Sequence, residues 1–263
     1  TDGSQQMIGE FEKRDPRVRF LHCGEQGVSS VRNFGIRQAK YDYIYFVDSD
    51  DTIADKSLEK LYHAAISEDA EIVASNIKAF QELNISIWDK SWSSGLLTEK
   101  EIPRFFAAKL TSYVCFSVFK LYKKSFLLEN AIFFDTALSL GEDLLFNLKA
   151  YNACKRFYYL SYPLYRYRIT ATGLNHKYRS DMVELKLMLQ KKIKDYLYGH
   201  DAFTDQYWVL VLNDVYKMLL NEKNAPDGDL RRILELDCVK DLLKSKIFWR
   251  LKFKKKIVYF FIK

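Results

Sequence analysis

Cysteine, proline and glycine are all scarce in this chain of 263 residues, at 4, 4 and 10 respectively. Cys23, Cys115, Cys154 and Cys238 stand far apart, and no C-x-x-C spacing occurs. Scattered single thiols argue against a disulfide framework or a zinc site and fit a reducing compartment. So few Pro and Gly argue against long flexible linkers. No apolar run approaches the roughly 18–20 residues that span a bilayer, and no secretory leader is visible. Thr1 is not an initiator methionine, which points to a processed or fragmentary chain.

What is present fits a folded protein. Hydrophobic residues make up 48% and charged residues 29%, enough for one large domain or two small ones with a real core. Aromatic residues reach 16%, with 18 Tyr and 19 Phe, a level common in proteins with wet apolar clefts or membrane-facing surfaces. The net charge of +7 is carried by one end. Residues 244–263 hold eight Lys or Arg and no acid, and the rest of the chain has 33 basic and 34 acidic residues. A neutral body argues against nucleic acid as a partner.

Hydrophobic periodicity gives an alternating pattern at the start. Residues 4–14 put Met7, Ile8 and Phe11 on one helical face, with Asp2 and Ser4 as N-cap candidates. Residues 17–22 read as a short strand and residues 28–40 as a helix. Residues 43–47, YIYFV, carry no charge and read as a strand buried on both faces, as in a parallel sheet. A helix over 55–67 and a strand over 71–75 follow. This βαβα order predicts a doubly wound α/β layer, in which ligands sit beyond the carboxyl ends of the strands. Helix over 98–109, strand over 114–121, helix from 144 and strands over 156–160 and 164–168 come next. Beyond 178 the pattern is helical, over 179–198, 203–222 and 228–245. The expected organisation is an α/β body over 1–178 and a helical region over 179–263.

Asp48, Asp50 and Asp51 end the strand at 43–47 abruptly. Carboxylates this close repel one another unless a cation sits among them. Hard oxygen ligands suit Mg²⁺ or Mn²⁺, which fill the rest of their shell with water and phosphate oxygens. The bland reading is a solvated turn that caps the next helix. An EF-hand loop fails because Ile53 stands where that loop needs glycine and a strand precedes it. Glu142 and Asp143, in GEDLLF, read by themselves as first-turn acids of a helix. Arg166 and Arg168 alternate on a strand face, where they either reach an anionic diphosphate or line an exposed edge. His176 is either a surface imidazole or a group that approaches the metal or phosphates when its loop closes.

Residues 27–51, GVSSVRNFGIRQAKYDYIYFVDSDD, resemble the signature of family 2 glycosyltransferases with the GT-A fold. That signature runs G-x-S-x-A-R-N-x-G-I-x-x-A-x-G-x-Y-I-x-F-x-D-x-D-D. Val31 stands where the family has Ala, and Asp42 where it has Gly. Further pieces follow in family order: Asp2-Gly3-Ser4, Phe119-Lys120-Leu121-Tyr122-Lys123, Gly141-Glu142-Asp143 and Tyr165-Arg166-Tyr167-Arg168. The likeness covers roughly residues 1–180. It implies a Rossmann-like mixed sheet with a helical C-terminal region. It implies that Asp2 accepts a hydrogen bond from the donor base, typically uracil, and that Arg32 helps hold the nucleotide. Asp48 and Asp50 become the D-x-D pair, with Asp50 the direct metal ligand and Asp48 nearer the ribose. Asp51 supports the loop or touches the donor sugar. Asp143 becomes the general base, with Glu142 its neighbour and fallback. The family fold opens with a strand, a helix and a second strand leading into D-G-S. Thr1 stands where that second strand ends, so the resemblance implies a core without its first strand.

The expected activity is inverting transfer of a sugar from a nucleotide-diphosphate donor, with Mn²⁺ or Mg²⁺, to a hydroxyl of a glycan or lipid-linked acceptor in cell-surface polysaccharide synthesis. The competing reading is a degenerate, non-catalytic nucleotide- or glycan-binding protein. The tail interleaves Ile247, Phe248, Leu251, Phe260 and Phe261 with lysines, a pattern that docks on anionic membrane surfaces or packs as a last amphipathic helix. Docking would hold the protein at the inner face of the cell membrane.

Overall fold

A computed structural model describes residues 3–80, 93–109, 115–168, 178–197, 201–225 and 228–245. Asp2, His176 and residues 246–263 of the basic tail lie outside the described residues.

The sheet holds six strands, β1 (Tyr43–Tyr45), β2 (Thr52–Ile53), β3 (Ile72–Phe80), β4 (Gly95–Thr98), β5 (Lys120–Lys123) and β6 (Arg156–Arg168). Their order is β1-β5-β3-β6-β2, with β4 pairing β6 off that path. Among the described residues only β3 and β6 run parallel, from Ile72 opposite Phe157 to Phe80 opposite Arg168. The sheet is therefore mixed. β1 departs from the parallel pairing expected of YIYFV: it pairs antiparallel with β5, Tyr43 opposite Lys123. Strand direction leaves no mark on residue content, because an apolar run suits either pairing. Among the described residues β1 is the outer strand on its side.

Helices accompany this sheet, most of them where the periodicity predicts; the short helix at Lys124–Glu129 is one it does not predict. They are α1 (Ser4–Arg14), α2 (Val28–Gln38), α3 (Ser57–Ser67), α4 (Ile102–Lys109), α5 (Lys124–Glu129) and α6 (Glu142–Ala153). Four more follow: α7 (Met182–Leu197), α8 (Asp201–Lys223), α9 (Leu230–Leu234) and α10 (Asp237–Lys244). One core cluster runs from Ile36 through Phe146 and Phe157 to Val215 and Leu242, so the C-terminal helices share the core of the α/β body.

Three further expectations are corrected. Residues 17–22 form no ladder among the described residues; Arg17 folds back on Asp15 and Phe20 N–H donates to Glu12, so backbone groups bond locally instead. α1 opens on Gly3 at φ 81° with no side-chain cap, and Ser4 is already its first helical residue. The strand expected from residue 114 begins at Lys120, because Phe119 sits at φ 54°, a left-handed conformation that no strand tolerates.

Candidate active site

The acidic turn is anchored to β6 rather than left in solvent. Asp51 is 8% exposed. Its two carboxylate oxygens accept from the Tyr165 hydroxyl at 2.6 Å and the Arg168 backbone N–H at 2.8 Å. The same Tyr165 oxygen accepts from Asp48 N–H at 3.2 Å. Burial pushes the Asp51 carboxyl up, the charges of Asp50 and Asp48 add to that, and its two donors oppose it. Asp50 is exposed and has no hydrogen bond or ion pair among the described residues. Strand alternation puts Arg166 and Arg168 on the face of β6 opposite Tyr165 and Tyr167, and both are exposed.

Arg32 joins this turn to the start of α6. Its guanidinium donates to Asp48 Oδ1 at 2.9 Å and to Asp143 Oδ1 at 2.6 Å, and lies 4.0 Å from Glu142. Burial alone would lower the Arg32 pKa, yet the charges of Asp143 and Asp48 hold it above its ordinary value. Burial and the neighbouring Asp143 push Glu142 up. Asn33, the next residue of α2, ties the helix to the backbone of Phe134. It donates to Phe134 O at 2.9 Å and accepts from Phe134 N–H at 2.8 Å. Phe134 in turn stacks on Phe146 with centroids 4.0 Å apart.

Asp143 and Glu142 stand in the first turn of α6 behind Gly141, whose φ is 82°. A Cβ on Gly141 would come within 2.4 Å of the buried Leu189 side chain of α7, so the residue is required by both conformation and space. The second carboxylate oxygen of Asp143 accepts from Ser117 N–H at 3.2 Å. Ser117 belongs to a strap, residues 115–119, whose carbonyls turn inward onto buried side chains. Asn147 donates to Cys115 O at 3.0 Å and to Asp143 O at 2.9 Å. Lys120 Nζ donates to Phe116 O. The Tyr122 hydroxyl donates to Asn147 Oδ1 at 2.9 Å and lies 3.4 Å from Ser117 O. Lys120, Tyr122 and Asn147 are all 0% exposed. With its carbonyls held inside, the strap presents the Ser117 N–H to Asp143.

The structure thus brings Arg32, Asp48, Glu142 and Asp143 into one cluster, with Asp50 and Asp51 on the adjoining turn. Sequence reasoning missed Asn33, Ser117, Lys120, Tyr122, Asn147 and Tyr165. Asn33, Lys120, Tyr122 and Tyr165 lie within matched motifs, which was their only signal; Ser117 and Asn147 lie outside them and had none.

The residues fit a divalent cation shared with a ligand, not one caged by protein. Asp51 has both oxygens engaged and Asp48 has one, which leaves Asp50 and the second oxygen of Asp48. Among the described residues no group of three or more His, Cys, Asp or Glu is arranged to hold a metal ion. Two carboxylate donors beside an anionic ligand are what Mg²⁺ and Mn²⁺ ordinarily accept.

Comparison with known proteins bears on the family and the fold. The profile described as Glycosyl transferase family 2 matches residues 1–129. The uncharacterized glycosyltransferase EpsJ of Bacillus subtilis is 26% identical over 260 residues, 94% of this chain and 76% of EpsJ. The glycosyltransferase GlyA of Streptococcus pneumoniae is 30% identical over 185 residues, 66% of this chain but 26% of that longer protein. The crystal structure of S. aureus TarS residues 1–349 in complex with UDP-GlcNAc superposes with a TM-score of 0.59 at 18% identity, covering 93% of this chain and 79% of that one. That likeness shows the fold, GT-A.

Proposed function

The chain belongs to the family 2 glycosyltransferases, and from that premise we propose that it moves a sugar from a UDP-sugar to a hydroxyl of a glycan or lipid-linked acceptor, with inversion, in cell-surface polysaccharide synthesis. The observation that carries this reading is the single guanidinium of Arg32 bonded to both Asp48 and Asp143. It ties the end of a sheet strand, where a nucleotide diphosphate binds in such folds, to a carboxylate poised as a base.

Asp143 Oδ2 accepts the proton of the acceptor hydroxyl as that oxygen forms its bond to the anomeric carbon. The bond from that carbon to the diphosphate oxygen breaks with inversion, and the electron pair leaves on the nucleotide. Ser117 N–H and Arg32 fix the plane of the Asp143 carboxylate, so its orientation is set before substrate arrives. A divalent cation held by Asp50 and Asp48 would neutralise charge that develops on the leaving diphosphate. Of the two roles open to Asp51, support of the loop fits its engaged oxygens. TarS, whose structures hold UDP-GlcNAc and UDP, supports a uridine nucleotide as donor.

Calorimetric titration with UDP tests the donor site. Binding is expected to require Mn²⁺ or Mg²⁺ and to be lost in Asp50→Ala. Equal affinity with and without the cation would sink the assignment.

A further inference from the structure

The strap at 115–119 has one large side chain that it does not bury. Ser117, Val118 and Phe119 are 0%, 2% and 0% exposed, whereas Phe116 is 38% exposed. Its ring stacks on Tyr167, with centroids 6.0 Å apart and planes inclined by 25°. Both backbones are fixed by groups of the site. Phe116 O is held by buried Lys120, and the next residue, Ser117, bonds Asp143. Tyr167 lies between Tyr165 and Arg168, which both bond Asp51. Tyr167 packs with Ile77, Val118, Phe119 and Tyr165, so one ring of the pair is seated in the core and the other is not. Burial pushes the Tyr167 hydroxyl up, and the charges of Asp51, Asp50 and Asp48 add to that.

We infer that Phe116 and Tyr167 form a platform for the apolar face of a pyranose ring, between Asp143 and the acidic turn. This rests on the transferase reading of the same site. If Asp143 takes the acceptor proton and the turn holds the diphosphate side, the anomeric carbon lies between them, and two sugar rings meet there. A pyranose has one face of C–H bonds, partly positive, and an aromatic ring has a negative face, so the two attract when stacked. Aromatic walls with a few fixed polar groups are the usual lining of such sites. A ring whose backbone is already fixed loses little freedom on binding, which favours a platform over a mobile surface residue. Phe116 neighbours the residue that bonds Asp143, so the acceptor ring is the expected occupant; a donor ring has the same chemistry.

Phe116→Ala, Phe116→Leu and Phe116→Tyr, compared with the unaltered chain, decide the matter with three probes. UDP and UDP-GlcNAc are titrated calorimetrically in Mn²⁺, and methyl β-glucopyranoside is followed by saturation-transfer NMR. Phe116→Ala and Phe116→Leu should both abolish saturation transfer to the glucoside ring protons, and Phe116→Tyr should keep it, with UDP affinity unchanged throughout. If the affinity advantage of UDP-GlcNAc over UDP falls about tenfold instead, the platform serves the donor sugar. Leu behaving like the unaltered chain would show that apolar bulk alone matters and overturn the inference. Unchanged binding of both sugars in Phe116→Ala would overturn it too. Failure of UDP to bind the unaltered chain removes the donor-site reading itself, and the platform with it.

Discussion

Lys120, Tyr122 and Asn147, beneath Asp143, are each 0% exposed and each bonded to the strap, whereas no residue of α1 is buried and Met7 and Phe11 stand 62% and 55% exposed. Both regions carry matched family motifs. In the first, polar groups are buried and satisfied, so only one backbone geometry avoids stranding a donor or acceptor. In the second, apolar side chains have a face but no cover among the described residues. A hydrophobic stripe specifies which side of a helix can be buried; it does not supply the partner. The same contrast separates α1 from α8, where Val211, Val215, Met218 and Leu219 are fully or almost fully buried in the core.

Sensitivity to substitution should be polarised in the same way. The largest effect is expected at Asp143, where Asp143→Asn should lower transfer about 10²–10⁴-fold, the usual worth of a general base, and leave UDP affinity intact. Single-turnover kinetics beside calorimetry reads this, and retained turnover would move the base to Glu142. Asn147→Ala comes next. It removes the nearer acceptor of the Tyr122 hydroxyl and a side-chain donor from two carbonyls, so a loss of roughly 1–3 kcal/mol in denaturant unfolding is expected, together with a lower kcat. An unfolding midpoint unchanged from wild type would show that the strap is not held through Asn147.

Lys120 gives a pH-dependent version of the same comparison. Burial pushes its pKa down to about 7 from an ordinary 10.5. The unfolded chain therefore binds the extra proton between those values, so this residue makes stability rise with pH across about 7 to 10.5 and lose that gain as pH falls toward 7. Lys120→Met should flatten the rise, as read from Tm against pH; an identical slope in the variant would place the titration elsewhere. The smallest effect is expected in α1, where Phe11→Ser should change stability by less than about 0.5 kcal/mol, as for exposed positions generally. A larger loss would mean that this face is covered in solution.

The helices, the acidic turn and the two residues joined by Arg32 were legible because they rest on periodicity, charge and matched motifs. Lys120, Tyr122 and Asn147 were not. Their function is to satisfy main-chain carbonyls of a strap, and a side chain that serves backbone produces neither periodicity nor charge pattern. In β5 the first three residues are all buried, so the alternation that would have flagged an inward lysine is absent. The strand expected at 17–22 failed for a related reason: extended, apolar residues become a strand only when a neighbour supplies the ladder. The strands expected at 156–160 and 164–168 are one: β6 runs through Pro163, with an irregularity in the ladder at Asn76.

The bond from Tyr165 to the acidic turn makes sheet registration a form of quality control. Tyr165 faces Ile53 across the β2–β6 ladder. A slip of one residue would send the phenol to the opposite face and bring Arg166 in its place. Asp51 would lose its hydroxyl donor, the Asp48 N–H its acceptor, and the turn its shape. A chain that mispairs this short ladder would therefore also lose the donor site proposed there, so errors of assembly and errors of chemistry would appear together.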